Sequence, residues 1–115
     1  MEAQRVYTET GRYEGRFDGD RFYNAKGQVL ARIQGGRVYH ADGRLWARLD
    51  GDRLYDATGK LMGRRNENRF YTEDGRFFAR HSEGRLYEST GRYMGRMDAA
   101  NVELAFIYCM IWRNC

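Results

Sequence analysis

Proline is absent from this 115-residue sequence, and cysteine occurs only as Cys109 and Cys115, both at the C-terminal end. Two cysteines in a tail cannot staple the body of a chain, so no disulfide framework of the kind found in small secreted domains is expected. They lie six residues apart, and Cys109 reads as a packed tail residue rather than half of a metal or redox centre. Histidine is as scarce: His40 falls in a loop and His81 on an apolar face, neither with a second histidine or a cysteine at ligand spacing. The two serines, Ser82 and Ser89, sit in turn segments without a neighbouring base. No glycine-rich phosphate cradle precedes a helix. The Asp-Gly-Asp stretches at Asp18 to Asp20 and Asp50 to Asp52 lack the spacing of a calcium loop, and turn chemistry explains them. These absences argue against an enzyme, and no metal or cofactor is expected.

Long apolar runs are missing too. The longest, Leu104 to Trp112, has nine residues, about half of the roughly twenty that a membrane-spanning helix needs. The opening MEAQRVYTET has no apolar segment, so it does not read as a signal peptide, and a cytoplasmic location is expected.

What the sequence does contain is one sixteen-residue sentence written six times without an insertion. Copies begin at Arg5, Arg21, Arg37, Arg53, Arg69 and Arg85, and the third reads RVYHADGRLWARLDGD. A tandem array of this length is one domain, residues 1–115, with hairpin repeats over 5–100 and an apolar tail over 101–115. The seventh residue of every copy is glycine, as required where a four-residue loop closes at positive φ. A second turn lies at the end of each copy. Asp18-Gly19, Gln34-Gly35 and Asp50-Gly51 suit two-residue hairpin turns, and a turn one residue later is compatible with the same faces. The fold class that follows is all-β: an antiparallel meander of about twelve short strands.

Alternation assigns the faces. The second, ninth, eleventh and thirteenth residues fall together, as Val38, Leu45, Ala47 and Leu49 do, and only Arg65 and His81 break the apolar character of that face. The other face receives Arg37, Tyr39, Arg44, Trp46 and Arg48 and their equivalents, in all sixteen arginines and Lys60. Acidic residues go to the turns, so the formal charge is only +4.

The tail abandons the repeat. A helix over about residues 99–113, capped by Asp98, is favoured, although Phe106, Ile107, Tyr108, Met110, Ile111 and Trp112 also suit a strand. Twelve strands at about 4.8 Å make an open sheet roughly 55 Å wide, against about 22 Å for a fifteen-residue helix. The tail would then leave most of the apolar face bare. That face could curl on itself, pack on an unknown protein partner, or form a two-fold homodimer. The homodimer is favoured here, because one chain supplies one layer and a domain needs two.

The stretch Tyr55-Asp56-Ala57-Thr58-Gly59-Lys60-Leu61 resembles the Tyr-Asp repeats of bacterial Rhs proteins. The whole array, Arg5 to Asp98, is similar to small bacterial proteins built of RIYDxxGRxxGRI-like units with an apolar C-terminal segment. That resemblance implies a meander of hairpins and assigns no catalytic residue. Two functional expectations result. The first is a structural module that self-associates or binds protein through Val38, Leu45, Leu49, Phe106, Tyr108 and Trp112. The second is binding of nucleic acid or another polyanion through Arg37, Tyr39, Arg44, Trp46 and Arg48, although arginine stems lying over tyrosine would also make a merely solvated face.

Overall fold

Each copy of the sentence folds into a hairpin of one short and one longer strand. In the computed structural model, which describes residues 4–98 and 101–113, the strands are β1 (Gln4–Thr8), β2 (Tyr13–Asp18), β3 (Arg21–Asn24), β4 (Val29–Gln34), β5 (Arg37–His40), β6 (Leu45–Asp50), β7 (Arg53–Asp56), β8 (Leu61–Asn66), β9 (Arg69–Thr72), β10 (Phe77–Ser82), β11 (Arg85–Glu88) and β12 (Tyr93–Met97). Every neighbouring pair is antiparallel. The four-residue loop between β7 and β8 shows how the longer connections close. Asp56 Oδ1 accepts from the backbone N–H groups of Thr58 and Lys60, and Gly59 takes φ +91°. At the other end the two-residue turns fall one position later than the Asp-Gly pairs suggest. Asp18 pairs with Arg21, so the turn residues are Gly19 and Asp20.

The sheet is not open. β1 pairs with β12 through Val6 and Met97, Tyr7 and Arg96, and Thr8 and Gly95, closing all twelve strands into a barrel. The molecule is a disc of about 34 × 34 × 24 Å. Closure removes both sheet edges, and with them the usual route to edge-to-edge association. It also turns the apolar face inward. The expected bare strip, the reason for favouring a homodimer, does not exist, because the sheet curls on itself.

A bulge in every hairpin accompanies that curvature. In the third copy Val38 pairs with Ala47 but Tyr39 pairs with Leu45, leaving Trp46 as the extra residue. The same shift recurs in the other five. Strict alternation therefore fails at one step. The ninth residues turn outward, with Val29 and Phe77 exposed, while the tenth residues Leu30, Trp46, Met62, Phe78 and Met94 pack on the core.

The lumen is filled by the tail. Helix α1 (Val102–Tyr108) continues into one π-helical stretch, Cys109–Arg113. Its N-cap is Asn101, whose Oδ1 accepts from the Leu104 N–H at 3.1 Å, rather than Asp98. Ala99 and Ala100, where a helix start was expected, lie outside the described residues, as does Cys115. Phe106 packs on Phe70 at 5.2 Å between ring centroids, and Ala105 to Met110 are all buried. Gly63 lies where Met110 approaches the wall, and a Cβ there would collide with the Met110 sulfur. Among the described residues no helix is long and apolar enough to cross a membrane.

Candidate functional site

The outer wall carries the chemistry, and the strand register builds it. In each hairpin the first-position arginine lies directly across from the twelfth-position arginine: Arg5 from Arg16, Arg21 from Arg32, Arg37 from Arg48, Arg53 from Arg64, Arg69 from Arg80 and Arg85 from Arg96. Like charges so placed repel and weaken a strand pair. Six such pairs encircle the barrel.

The twelfth-position guanidinium then reaches the tyrosine of the following copy. Arg16 lies over Tyr23 at 4.3 Å from the ring centroid, Arg32 over Tyr39 at 5.2 Å, Arg48 over Tyr55 at 4.8 Å, Arg64 over Tyr71 at 4.8 Å and Arg80 over Tyr87 at 4.3 Å. Arg96 over Tyr7 at 4.1 Å completes the circle across the closing seam. Further along, Tyr7, Tyr71 and Tyr87 contact the ninth-position rings Tyr13, Phe77 and Tyr93 at 5.8 to 5.9 Å. Those three tyrosines contact both a cation and a ring, whereas Tyr23, Tyr39 and Tyr55 have the aliphatic Val29, Leu45 and Leu61 across from them.

Among the described residues, carboxylates meet this waist at its margins. Arg16, Arg48 and Arg96 reach Asp18, Asp50 and Asp98 at 3.8, 3.7 and 3.3 Å. The other nine waist arginines make no ion pair among the described residues. The remaining pairs belong to the loops, Arg44 with Asp42 at 2.9 Å and Arg76 with Asp74 at 3.3 Å. Hydrogen bonds also hold the loop carboxylates charged. Asp42 lies below its usual pKa, chiefly through the Arg44 backbone N–H. Asp56 is lowered first by the Thr58 hydroxyl, and Asp74 by that of Thr72. The result is a cationic waist between two acidic rims.

Of the residues expected to bind a polyanion, Arg37 is exposed, Tyr39 is half-buried beneath Arg32, Arg44 sits at the loop end, and Arg48 lies over Tyr55. Trp46 does not belong with them. The bulge turns it inward, where it stacks on His40 at 4.1 Å and meets Trp112 edge-on at 5.3 Å. The residues expected to form an apolar docking face are separated. Val38, Phe106 and Tyr108 are buried, Leu49 and Trp112 are half-buried at opposite mouths, and Leu45 lies on the outer wall beside Tyr39. Docking through the buried members would require the barrel to open.

Two features escaped sequence reasoning. The tyrosine–arginine seam needs closure, which alternation cannot reveal. Glu14, the one carboxylate among the tenth-position residues, turns inward and accepts a hydrogen bond from the Tyr108 hydroxyl at 3.1 Å. Its signal was present, since every other copy has an apolar residue there. At the turn-end mouth a cleft of about 290 Å³ lies beside the start of α1, with Phe17, Ile33, Leu49 and Ile107 in its lining.

Comparison with known families bears on the same repeat. Residues 3–112 match the family described as 5-fold beta-flower protein. The chain belongs to that family. No curated protein and no solved structure matches it. The family match supports the tandem-hairpin kinship expected from the repeat and gives no support to a Tyr-Asp repeat origin. This beta-flower chain closes with six hairpins, and the family's description is 5-fold. At this level it is a small structural repeat module.

Proposed function

We propose that this module is non-enzymatic and binds phosphate-backbone polymers through its arginine waist. One observation carries the reading: six pairs of arginines held directly across from one another on the outer wall, with nine of the twelve free of any ion pair among the described residues. A fold that places like charges opposite each other six times loses stability at each pair, and a bridging anion relieves that repulsion. Guanidinium forks suit phosphate oxygens better than ammonium groups do. The tyrosines act as positioning residues, holding each twelfth-position guanidinium over a ring on the wall.

Titration of a labelled oligonucleotide followed by fluorescence anisotropy at about 50 mM salt tests the reading, since contacts of this kind weaken steeply as salt rises. Binding that disappears at about 0.5 M salt and weakens in Arg37→Gln/Arg48→Gln is the expected result. An absence of binding at the lower salt would overturn it.

A further inference from the structure

The waist is a closed track rather than a patch, and that limits what can follow it. Each hairpin contributes the same arginine pair, and the contact of Arg96 with Tyr7 continues the pattern across the seam without a gap. Acidic loops at one end, Asp42, Asp56 and Asp74, and the turn-end carboxylates Asp18, Asp50 and Asp98 at the other, repel a polyanion that strays toward either rim. The favourable path therefore runs around the barrel, perpendicular to its axis.

Curvature then selects the ligand. The disc is only about 34 Å across, whereas duplex DNA has a persistence length of about 500 Å. A duplex can touch such a surface only along a tangent, meeting one or two arginine pairs. A flexible chain can follow the whole perimeter, at least about 58 Å at backbone level for twelve strands at about 4.8 Å each and roughly 80 Å once barrel strands tilt. Recognition is of the phosphate chain, because every waist tyrosine already has a guanidinium over its ring, and Tyr7, Tyr71 and Tyr87 have a second aromatic ring in contact as well.

We infer that a flexible, single-stranded phosphate polymer wraps the waist and engages all six arginine pairs in succession. This rests on the phosphate-binding reading above and specifies the polymer and its path. The test compares three probes on the intact protein across a salt series: a mixed-sequence single strand long enough to encircle the disc, the corresponding duplex, and inorganic polyphosphate. Twelve contacts predict a slope of log K against log salt near −8 for the single strand, and two to four predict about −2 to −4 for the duplex. Polyphosphate should displace the single strand, and shortening the strand below the perimeter should reduce the slope in proportion. Arg85→Gln/Arg96→Gln at the seam and Arg37→Gln/Arg48→Gln on the far side should each lower the single-strand slope by about 1.4.

Equal slopes for single strand and duplex would overturn the wrapped path while leaving phosphate binding intact. So would loss of all binding on removing one pair, which would mean a local site. Failure of polyphosphate to compete would show recognition of bases and overturn the phosphate track. If none of the three probes bound at about 50 mM salt, the phosphate-binding reading itself would fall.

Discussion

The guanidinium of Arg96, in the last hairpin, lies 4.1 Å from the ring centroid of Tyr7 in the first. It is the shortest of the six arginine–tyrosine contacts and sits beside the β1–β12 pairing that closes the barrel. Replacing Tyr7 with leucine keeps most of the apolar bulk and removes the quadrupole. A loss of about 0.5 to 1 kcal/mol is expected, measured by chemical denaturation. Tyr39→Leu, beneath Arg32 at 5.2 Å, should cost no more than Tyr7→Leu.

The bulge makes adjacent residues opposite in consequence. Trp46 faces Trp112 in the lumen, whereas Leu45 lies outside against Tyr39. Trp46→Ala should cost about 2 kcal/mol for a half-buried aromatic, and Leu45→Thr should stay within about 0.5 kcal/mol. Strict alternation would give the reverse order, so paired denaturation curves decide between the two registers.

How far the sequence reached follows from the same residues. Six copies in register imposed twelve strands, and glycine at every seventh position located the loops, because both signals are local. Val38, Ala47 and their equivalents were legible as core for that reason. Trp46 and Leu45 were exchanged because a bulge shows only in the pairing of two strands. Closure was one of three options left open and not the favoured one, for a different reason: the contact of Tyr7 with Arg96 spans almost the whole chain, and its partners read like those of any neighbouring copies. The arginine waist was visible in outline, but not as a ring.

Gly63 is set by two neighbours at once. A Cβ at this position would meet the Met110 sulfur and lie 2.6 Å from the Tyr71 carbonyl oxygen. The flexible Met110 can move, but the backbone of β9 cannot do so without breaking its ladder. Gly63→Ala should therefore cost about 2 kcal/mol, and adding Met110→Ala should not restore stability.

Glu83 opens the turn between β10 and β11 with φ +50°, in the left-handed region that the first three copies fill with Gly19, Gly35 and Gly51. A side chain there costs about 1 kcal/mol or more. Glu83→Gly should raise stability by about 0.5 kcal/mol, since strain relief outweighs the added freedom of the unfolded chain. Glu67→Gly, at φ +57° in the preceding copy, should act in the same direction. Thermal melts of the two single variants and the double variant check both sign and additivity.

His81 makes acid the barrel's weak side. Its ring is buried, and its Nε2 accepts a hydrogen bond from the Gly84 N–H at 3.1 Å. An imidazolium could not accept that bond, and burial holds the pKa below the ordinary value of 6.5. The unfolded chain therefore binds a proton before the folded barrel does. The stability this represents is fully present above about pH 6.5 and is lost progressively as pH falls from there toward the lowered folded value. Asp42, Asp56 and Asp74 work in the same sense, but lower, because their depressed pKa values place their loss below pH 3.8. Denaturation midpoints of the unsubstituted protein should thus fall between pH 7.5 and pH 5. In His81→Leu, less stable at pH 7.5 because Gly84 loses its acceptor, the midpoint should hardly change over that interval; an equal fall in both proteins would place the titrating group elsewhere.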